Sequence, residues 1–311
     1  MGGADAWFGA DHQALLGPDY DLSDYEVVND ILDVWFDSGS THSFVVEGRY
    51  GEGARADLYI EGSDQHRGWF QSSLLESCGT RGQAPYKAVL THGFVMGEDG
   101  SKMSKSTGNI VSPQDVIDQH GADVLRLWVV GSDYSEDLRI GPEILKRNAD
   151  IYRRLRNTLR YLLGNLAGFD ESERVGLDEM PELERWVLHR LWQLDRHLRQ
   201  ACDDFQFHPV FAELHNFCAV DLSALYFDVR KDSLYCDRPD AIRRRAARTV
   251  MHEVFLRLTA WLAPLTPFTM EEAWTTRYPP QSDDGAGTNC ARVIPDTPAE
   301  WQNDAEAARW D

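Results

Sequence analysis

The sequence is poor in cysteine and has no long hydrophobic run. Its five cysteines are widely spaced and form no CxxC pair, which argues against a disulfide framework and against a local zinc site. No apolar run approaches the roughly 18–20 residues that cross a bilayer, and no signal peptide opens the chain. These absences predict a protein of the reducing cytoplasm with no membrane partner.

Basic residues are also scarce, with 31 Lys and Arg against 51 Asp and Glu and a net charge of −20. Net acidity taken alone argues against a nucleic-acid partner, because phosphate binding depends on Lys and Arg. The basic residues are clustered, however: residues 146–160 hold six with one acid, and residues 238–248 hold five with one acid. Each stretch fits either a solvated helix face or a docking stripe for an anionic ligand.

The first part of the 311-residue chain has β-like character. Short β-like runs cover 32–36, 57–61 and 88–96, and helical spacing of apolar residues covers 65–77. Strand, helix and strand with short connections predict a βαβ unit and a parallel sheet. Residues 1–30 have the mixed composition of a connector.

The second part is predicted to be helical throughout. Ser112 and Pro113 start a short helix that Gly121 ends, and a second helix covers 122–130. Pro142 opens a long helix that stops by Gly168. Further helices are predicted near 181–203, 209–230, 239–263 and 267–276. Together they predict an all-α bundle that begins near residue 140, followed by a flexible C-terminal segment.

The sharpest local pattern is a glycine-flanked loop that carries two lysines, Lys102-Met103-Ser104-Lys105-Ser106. Such a loop can close over a polyphosphate, because phosphoryl and nucleotidyl transfer depend on positioning and on neutralising the charge of the transferring group. The alternative is a solvated hairpin with two surface lysines.

Three further clusters lie near predicted strand ends. Glu61, Gly62, Asp64 and Gln65 offer polar groups for ribose hydroxyls or an ammonium group, although Asp64 also fits a helix N-cap. Trp35 and Trp69 fit either the wall of an apolar pocket or the core. His92, Gly93 and Phe94 precede the lysine loop, and Gly93 would allow a flat ring to approach the backbone closely.

These motifs, DVWFDSGSTH (33–42), EGSDQHRGWF (61–70), THGF (91–94) and KMSKSTGNIVSP (102–113), resemble in this order the class I aminoacyl-tRNA synthetases. The sequences of these motifs are most similar to those of the bacterial isoleucyl enzymes, and the resemblance extends to FTMEEAW (268–274). It implies half of a Rossmann-like α/β catalytic domain followed by an all-α helical bundle. The implied order is a connector (1–30), the half domain with the lysine loop (31–110), a stem-contact region (111–140), an anticodon-binding domain (141–276) and a flexible segment (277–311).

The resemblance also implies roles for individual residues. Lys102 and Lys105 would be catalytic and would bind ATP with Met103, Ser104, Ser106, His92, Gly93 and Phe94. Glu61, Gly62, Asp64, Gln65, Trp35 and Trp69 would bind the aminoacyl-adenylate, and Lys146, Arg147, Arg153 and Arg154 would bind tRNA. The implied substrates are isoleucine, ATP with Mg²⁺ and tRNA(Ile). No metal site is expected in this chain, and the full-length protein is expected to be a monomer.

The sequence departs from the family in one respect that matters for activity. No HIGH motif occurs in it, and the resemblance accounts for neither the first half of the nucleotide-binding fold, nor the editing domain, nor the C-terminal zinc region. We therefore expect a fragment of a synthetase that does not form isoleucyl-adenylate at a useful rate alone. Two alternatives stay open at this point: a stand-alone tRNA-binding module, and a synthetase for valine or another aliphatic amino acid.

Overall fold

The chain divides into two compact units, Met1–Thr91 and His92–Asp311. The structure, a computed structural model, describes residues 3–104, 106, 108–280 and 287–310. In these ranges no helix combines the length and the apolar character that a membrane span requires.

The first unit is a strand–helix–strand arrangement preceded by short helices. Strands β1 (Ala56–Gly62) and β2 (Tyr86–His92) are hydrogen-bonded neighbours, and helix α4 (Trp69–Arg81) links them along the chain. The other helices are α1 (His12–Leu16), α2 (Val34–Gly39) and α3 (Gly48–Tyr50), with a π-helical segment at His42–Glu47. The predicted strand–helix–strand order is thus confirmed for this part of the chain.

The predicted strand over 32–36 is wrong, because helix α2 begins at Val34. The side chain of Asp33 accepts a hydrogen bond of 2.8 Å from the backbone N–H of Trp35. This capping bond satisfies an N–H group that the first turn of a helix leaves without a partner. Local capping therefore outweighs the β propensity of the apolar run.

The predicted run over 88–96 is two strands, since β2 ends at His92 and β3 covers Val95–Gly97. β3 pairs in parallel with a strand that the sequence patterns do not predict, β4 (Leu138–Ile140), with Val95 opposite Leu138. A strand of three residues is too short to show a periodicity of its own.

The second unit is a helical bundle whose predicted elements are largely confirmed. Its helices are α5 (Pro113–His120), α6 (Ala122–Val130), α7 (Pro142–Asn165), α8 (Glu182–Asp203), α9 (Phe207–Asn216), α10 (Phe227–Cys236), α11 (Ile242–Trp261), α12 (Pro267–Arg277) and the short α13 (Asp304–Ala307). A π-helical segment, Phe217–Tyr226, joins α9 to α10, so the helix predicted over 209–230 extends to Cys236. One contiguous core holds Leu162, Leu191, Phe217 and Phe255, all fully buried.

The bundle is larger at both ends than the sequence predicts. Leu127 of α6 is fully buried in the bundle core, so the compact division falls after residue 91 and not near residue 140. At the other end, the Arg257 guanidinium lies 4.4 Å from the ring centre of Trp301, and that of Arg292 lies 3.7 Å from the ring centre of Trp274. Residues 287–310 therefore contact α11 and α12, while residues 281–286 lie outside the described residues. The flexibility of the C-terminal segment stays a prediction.

Candidate functional site

In the first unit, helices α2 and α4 bring Trp35 to the backbone of Gly68, beside Trp69. A Cβ atom at Gly68 would lie 2.9 Å from both Cη2 and Cζ3 of Trp35. The Trp35 side chain thus packs on the glycine itself, while 43% of its surface stays exposed. A half-exposed indole at this position fits a pocket wall better than a core residue.

The Trp69 indole is held on its face and on its edge. Its ring stacks on that of Tyr59, with ring centres 4.2 Å apart and an interplanar angle of 6°. Its Nε1–H donates to the Ser38 carbonyl at 3.0 Å and to the Thr41 hydroxyl at 3.1 Å. Burial raises the pKa of Tyr59, so this ring stays neutral. Trp69 is therefore a fixed surface that directly follows Gly68, the residue on which Trp35 packs.

Polar groups follow β1 at its carboxyl end. Glu61 is exposed, and its Oε2 accepts only a long bond of 3.3 Å from the N–H of Gly62, which is itself buried. Gln65 Nε2 donates to Asp64 Oδ2 at 3.0 Å, and Gln65 Oε1 accepts from the Trp69 N–H at 3.0 Å. Gln65 rather than Asp64 therefore satisfies the start of α4. The exposed carboxylates of Glu61 and Asp64 can accept hydrogen bonds from hydroxyl or ammonium groups.

The lysine loop lies in the second unit, where strand β3 anchors it. Met96 of β3 forms an antiparallel bridge with Lys102, and the Gly97 N–H donates to the Ser101 carbonyl at 2.8 Å. Gly100 completes the turn with a φ of 81°, a conformation that favours glycine. This hairpin fixes the backbone of Lys102 and leaves its side chain exposed.

Asn109 closes the loop from the other side. Its Oδ1 accepts from the Ser104 N–H at 2.9 Å, and its Nδ2 donates to Ser101 Oγ at 3.1 Å and to the Lys102 carbonyl at 3.3 Å. Asp99 Oδ1 in turn accepts from the hydroxyl and the N–H of Ser101, and these bonds lower the pKa of Asp99. Asn109 is not among the predicted site residues, although it lies within the KMSKSTGN motif (102–109).

Of the other predicted loop residues, Met103 is partly buried and packs against the small apolar cluster of Val116 and Trp128. Ser104 Oγ and Ser106 Oγ lie 3.0 Å apart. Lys105 lies outside the described residues.

Gly93 is required by a close approach, but the approaching group is the chain itself. A Cβ at this position would lie 2.3 Å from the backbone oxygen of Glu136, and the Gly93 N–H donates to the Tyr134 carbonyl at 2.9 Å. This backbone contact explains the glycine, and the close approach of a flat ring at Gly93 stays a prediction. Beside it, His92 Nδ1 lies 2.9 Å from the Gly93 carbonyl, and Phe94 is half exposed.

Helix α7 presents the predicted RNA-contacting residues to solvent. Lys146, Arg147, Arg153 and Arg154 are all exposed. Lys146 lies 4.0 Å from Glu143, and Arg153 pairs with Asp150 one turn away. Within the described ranges, Arg147 and Arg154 make no ion pair, so their charges are available to an anionic ligand.

The second basic stretch has a structural role instead. Arg248 Nε lies 2.9 Å from Glu173 Oε2, and Arg245 Nε donates to the Glu173 carbonyl at 3.1 Å. Arg244 Nη1 donates to the Asp237 carbonyl at 2.7 Å. These contacts tie helix α11 to neighbouring segments, as expected for arginines that pair within a bundle.

The described site residues therefore form two groups. Those that follow β1 and line α2 and α4 lie in the first unit, and those of the lysine loop and of α7 lie in the second. Among the residues that the structure describes, no three His, Cys, Asp or Glu side chains converge as metal ligands would.

Two family models match the chain. Residues 2–141 match the model described as tRNA synthetases class I (I, L, M and V), and residues 184–309 match the anticodon-binding domain of tRNA ligase. Among curated relatives, the isoleucine–tRNA ligase of Caulobacter vibrioides is 61% identical over 99% of this chain, and that of Zymomonas mobilis is 55% identical over 99%. The chain spans 31% and 33% of these relatives.

Solved structures show the same fold at lower identity. The LeuRS of Agrobacterium radiobacter K84, in a ternary complex with tRNA and LeuAMS, has a TM-score of 0.70 and 18% identity over 89% of this chain and 34% of its own. The methionyl-tRNA synthetase of Mycobacterium tuberculosis, in complex with methionyl-adenylate, has a TM-score of 0.64 and 23% identity over 79% of this chain and 50% of its own. The chain belongs to the class I aminoacyl-tRNA synthetases.

Proposed function

We propose that this chain supplies the lysine-loop part of the catalytic domain and the anticodon-binding domain of an isoleucine–tRNA ligase. The observation that carries the proposal is the 61% identity to an isoleucine–tRNA ligase over 310 residues. The held indole of Trp69, the exposed carboxylates that follow β1 and the anchored lysine loop support it. Its partners are isoleucine, ATP as its Mg²⁺ complex and tRNA(Ile), and the complete protein acts as a monomer in the cytoplasm.

The reaction has two steps. In the first, an oxygen of the isoleucine carboxylate attacks the α-phosphorus of ATP and forms isoleucyl-adenylate, and the bond to pyrophosphate breaks. In the second, a hydroxyl of the terminal tRNA ribose attacks the isoleucyl carbonyl, and AMP leaves. Charge that develops on a transferring phosphoryl group is stabilised by preorganised cations.

The residues of this chain have distinct roles in these steps. Lys102 and Lys105 neutralise the departing pyrophosphate, since an ammonium group acts as a compact point charge for phosphate. Glu61, Asp64 and Gln65 hold the amino group and the ribose of the adenylate. Met103, Ser104 and Ser106 contact ATP along the loop, and His92, Gly93 and Phe94 lie near the adenine. Trp35 and Trp69 contact the isoleucine side chain, while Gly62 gives the adenylate access to the backbone.

The test uses the full-length enzyme that contains this sequence. Replacing Lys105 or Lys102 with Ala should lower isoleucine-dependent ATP–pyrophosphate exchange by about 100-fold or more, as loss of one oriented donor does in other enzymes. Lys87→Ala is the control, because Lys87 is an exposed lysine that pairs with Asp57 at 2.6 Å. Unchanged exchange in Lys105→Ala would favour a tRNA-binding module, and exchange that depends on valine would favour a valine enzyme.

The 311-residue chain tested alone gives a separate result. Because it has no HIGH motif, we expect no isoleucine-dependent exchange from it. Measurable exchange by the purified chain would contradict this expectation and would leave the assignment of the substrate intact.

A further inference from the structure

Gly68 lies against the Trp35 ring and immediately precedes Trp69 in the chain. A Cβ atom added there would lie 2.9 Å from two ring atoms of Trp35 and 2.6 Å from Gln65 Oε1, closer than real Cβ contacts come. Any side chain at this position must therefore displace Trp35. We propose that Gly68 determines the specificity of the amino-acid site by letting the Trp35 ring lie against the backbone. The inference rests on the proposed function and extends it.

Trp35 is the group that would move, because the surfaces around it are fixed. Trp69, which follows Gly68 in the chain, stacks on the buried Tyr59 and donates from Nε1 to Ser38 and Thr41. The backbone of α2 also packs closely on α4, since a Cβ at Gly39 would lie 3.0 Å from the backbone carbonyl carbon of Ser72. The Trp35 ring, in contrast, is 43% exposed and has room on its outer side.

The displacement follows from ordinary contact distances. Non-bonded carbon atoms are at their best separation at about 3.5–4.0 Å, so an alanine at residue 68 would push the ring outward by about 1 Å. Gln65 must yield as well, and its bond of 3.0 Å to the Trp69 N–H weakens. Both clashing groups are the ends of side chains, so the wall that Trp35 forms moves.

A moved wall changes the selection between isoleucine and valine, which differ by one methylene. One methylene in an apolar pocket is worth about 10–200-fold in discrimination, a range whose established example is the choice of isoleucine over valine by isoleucyl-tRNA synthetases themselves. We expect Gly68→Ala to lower the isoleucine-to-valine ratio of kcat/KM by about tenfold. Most of the loss should appear in KM for isoleucine, because the larger side chain needs the full width of the site.

The experiment measures ATP–pyrophosphate exchange with isoleucine and with valine in the full-length enzyme. Gly79→Ala is the matched control, because Gly79 lies in α4, the helix that Gly68 precedes, and its Cβ would meet no atom within 4 Å. Gly68→Ala is also made in a Trp35→Phe background, where the smaller ring relieves the clash with residue 35 and leaves only the one with Gln65. In that background, alanine at residue 68 should change the isoleucine-to-valine ratio of kcat/KM by less than about twofold. This is the scatter expected when two substitutions do not interact.

The outcomes separate the two proposals. If the unmodified enzyme activates no isoleucine, the proposed function fails and the role of Gly68 fails with it. If the unmodified enzyme activates isoleucine, and Gly68→Ala and Gly79→Ala have the same isoleucine-to-valine ratio of kcat/KM, the role of Gly68 is overturned while the proposed function stands. An equal loss with both amino acids, together with a lower melting temperature, would mean a merely structural glycine and would also overturn it.

Discussion

Arg230 donates two hydrogen bonds of 2.6 Å to the two carboxylate oxygens of Glu184, whose side chain has no exposed surface. The Tyr226 hydroxyl donates to the same carboxylate at 3.2 Å. This group joins helices α8 and α10 in the interior of the bundle. A buried carboxylate is tolerated only when it is paired and hydrogen-bonded, and both conditions are met here.

Replacing Arg230 with Ala should destabilise the chain by about 3–5 kcal/mol, because it leaves a buried charge without its partner. Lys231→Ala is the control, since the neighbouring lysine pairs with Asp228 on the exposed side of the same helix. Urea unfolding measures both. Equal midpoints for the two variants would show that the buried pair does not hold the bundle together.

Gly93→Ala should destabilise the second unit by about 1–3 kcal/mol, the usual result of forcing extra atoms into a packed site. The added Cβ would meet the backbone of Glu136 at 2.3 Å, and a backbone cannot turn aside as a side chain can. Gly164→Ala in α7 is the control, because its Cβ would meet nothing within 4 Å. That change should stabilise the helix slightly. Thermal unfolding that ranks the two variants the other way would contradict the close approach.

The helices were predictable because their signals are local. Pro142 opens α7 and Gly121 ends α5, and each signal depends on a few adjacent residues. Helix α2 was not predicted, since a single capping side chain at Asp33 decides between helix and strand. Strand β4 forms by pairing with β3. The two segments are about forty residues apart in the chain, and local hydrophobic periodicity does not indicate pairing over that separation.

The site was predictable as motifs and not as contacts. The motifs that contain Lys102 and Trp69 indicate the type of reaction. The reason for a glycine at 68 or 93 is contact with residues distant along the chain, Trp35 and Glu136. Asn109 shows the same limit. Its bonds to Ser101, Lys102 and Ser104 depend on the chain folding back on itself, which the spacing of residues in the sequence does not indicate.

Asn109→Ala should loosen the lysine loop. The Ser104 N–H loses its acceptor at 2.9 Å, and one hydrogen bond is worth about 1 kcal/mol, which corresponds to about fivefold. Hydrogen exchange of the Ser104 amide should therefore become about fivefold faster. Gln114→Ala is the control, because the Gln114 amide donates to Asp118 one turn along α5. Unchanged exchange at Ser104 would contradict the role of Asn109.

Replacing Arg147 and Arg154 together should weaken binding of tRNA through lost phosphate contacts. Each phosphate contact contributes about 0.9 to the slope of log K against log salt for a duplex. The double variant should therefore lower that slope by about 1–2. Arg238→Ala is the control, because Arg238 is exposed and already pairs with Asp240. Filter binding at several salt concentrations measures the slope, and an unchanged slope would place the RNA elsewhere.

His252 of α11 is enclosed by polar and aromatic groups. Its ring lies 4.9 Å from that of Phe169, and its Nε2 lies 3.0 Å from the Tyr278 hydroxyl. Its Nδ1 lies 3.5 Å from Arg174 Nη2 and 3.4 Å from Glu171 Oε1. In the neutral ring, Nδ1 accepts from the guanidinium when the proton is on Nε2 and donates to the carboxylate when the proton is on Nδ1.

Burial, together with the positive charge of Arg277, lowers the pKa of His252 to about 4. The nearby carboxylates of Glu253 and Glu171 raise the pKa but do not offset these two effects. In the unfolded chain the ordinary pKa is about 6.5, so the unfolded state takes up a proton between pH 6.5 and about 4 while the folded state does not. Stability should therefore fall as the pH falls through this window, by about 2–3 kcal/mol from this residue.

His252→Gln keeps a side chain that can hydrogen-bond but removes the titration. Urea unfolding at pH 7.5 and pH 4.5 should show a loss about 2 kcal/mol smaller in the variant than in the unmodified chain. Exposed carboxylates titrate alike in both proteins, so they cancel in this comparison. His197→Gln is the control, because His197 is exposed and faces Glu213 at 3.1 Å. If His252→Gln lost stability in parallel with the unmodified chain, the acid sensitivity of the bundle would have to come from other groups.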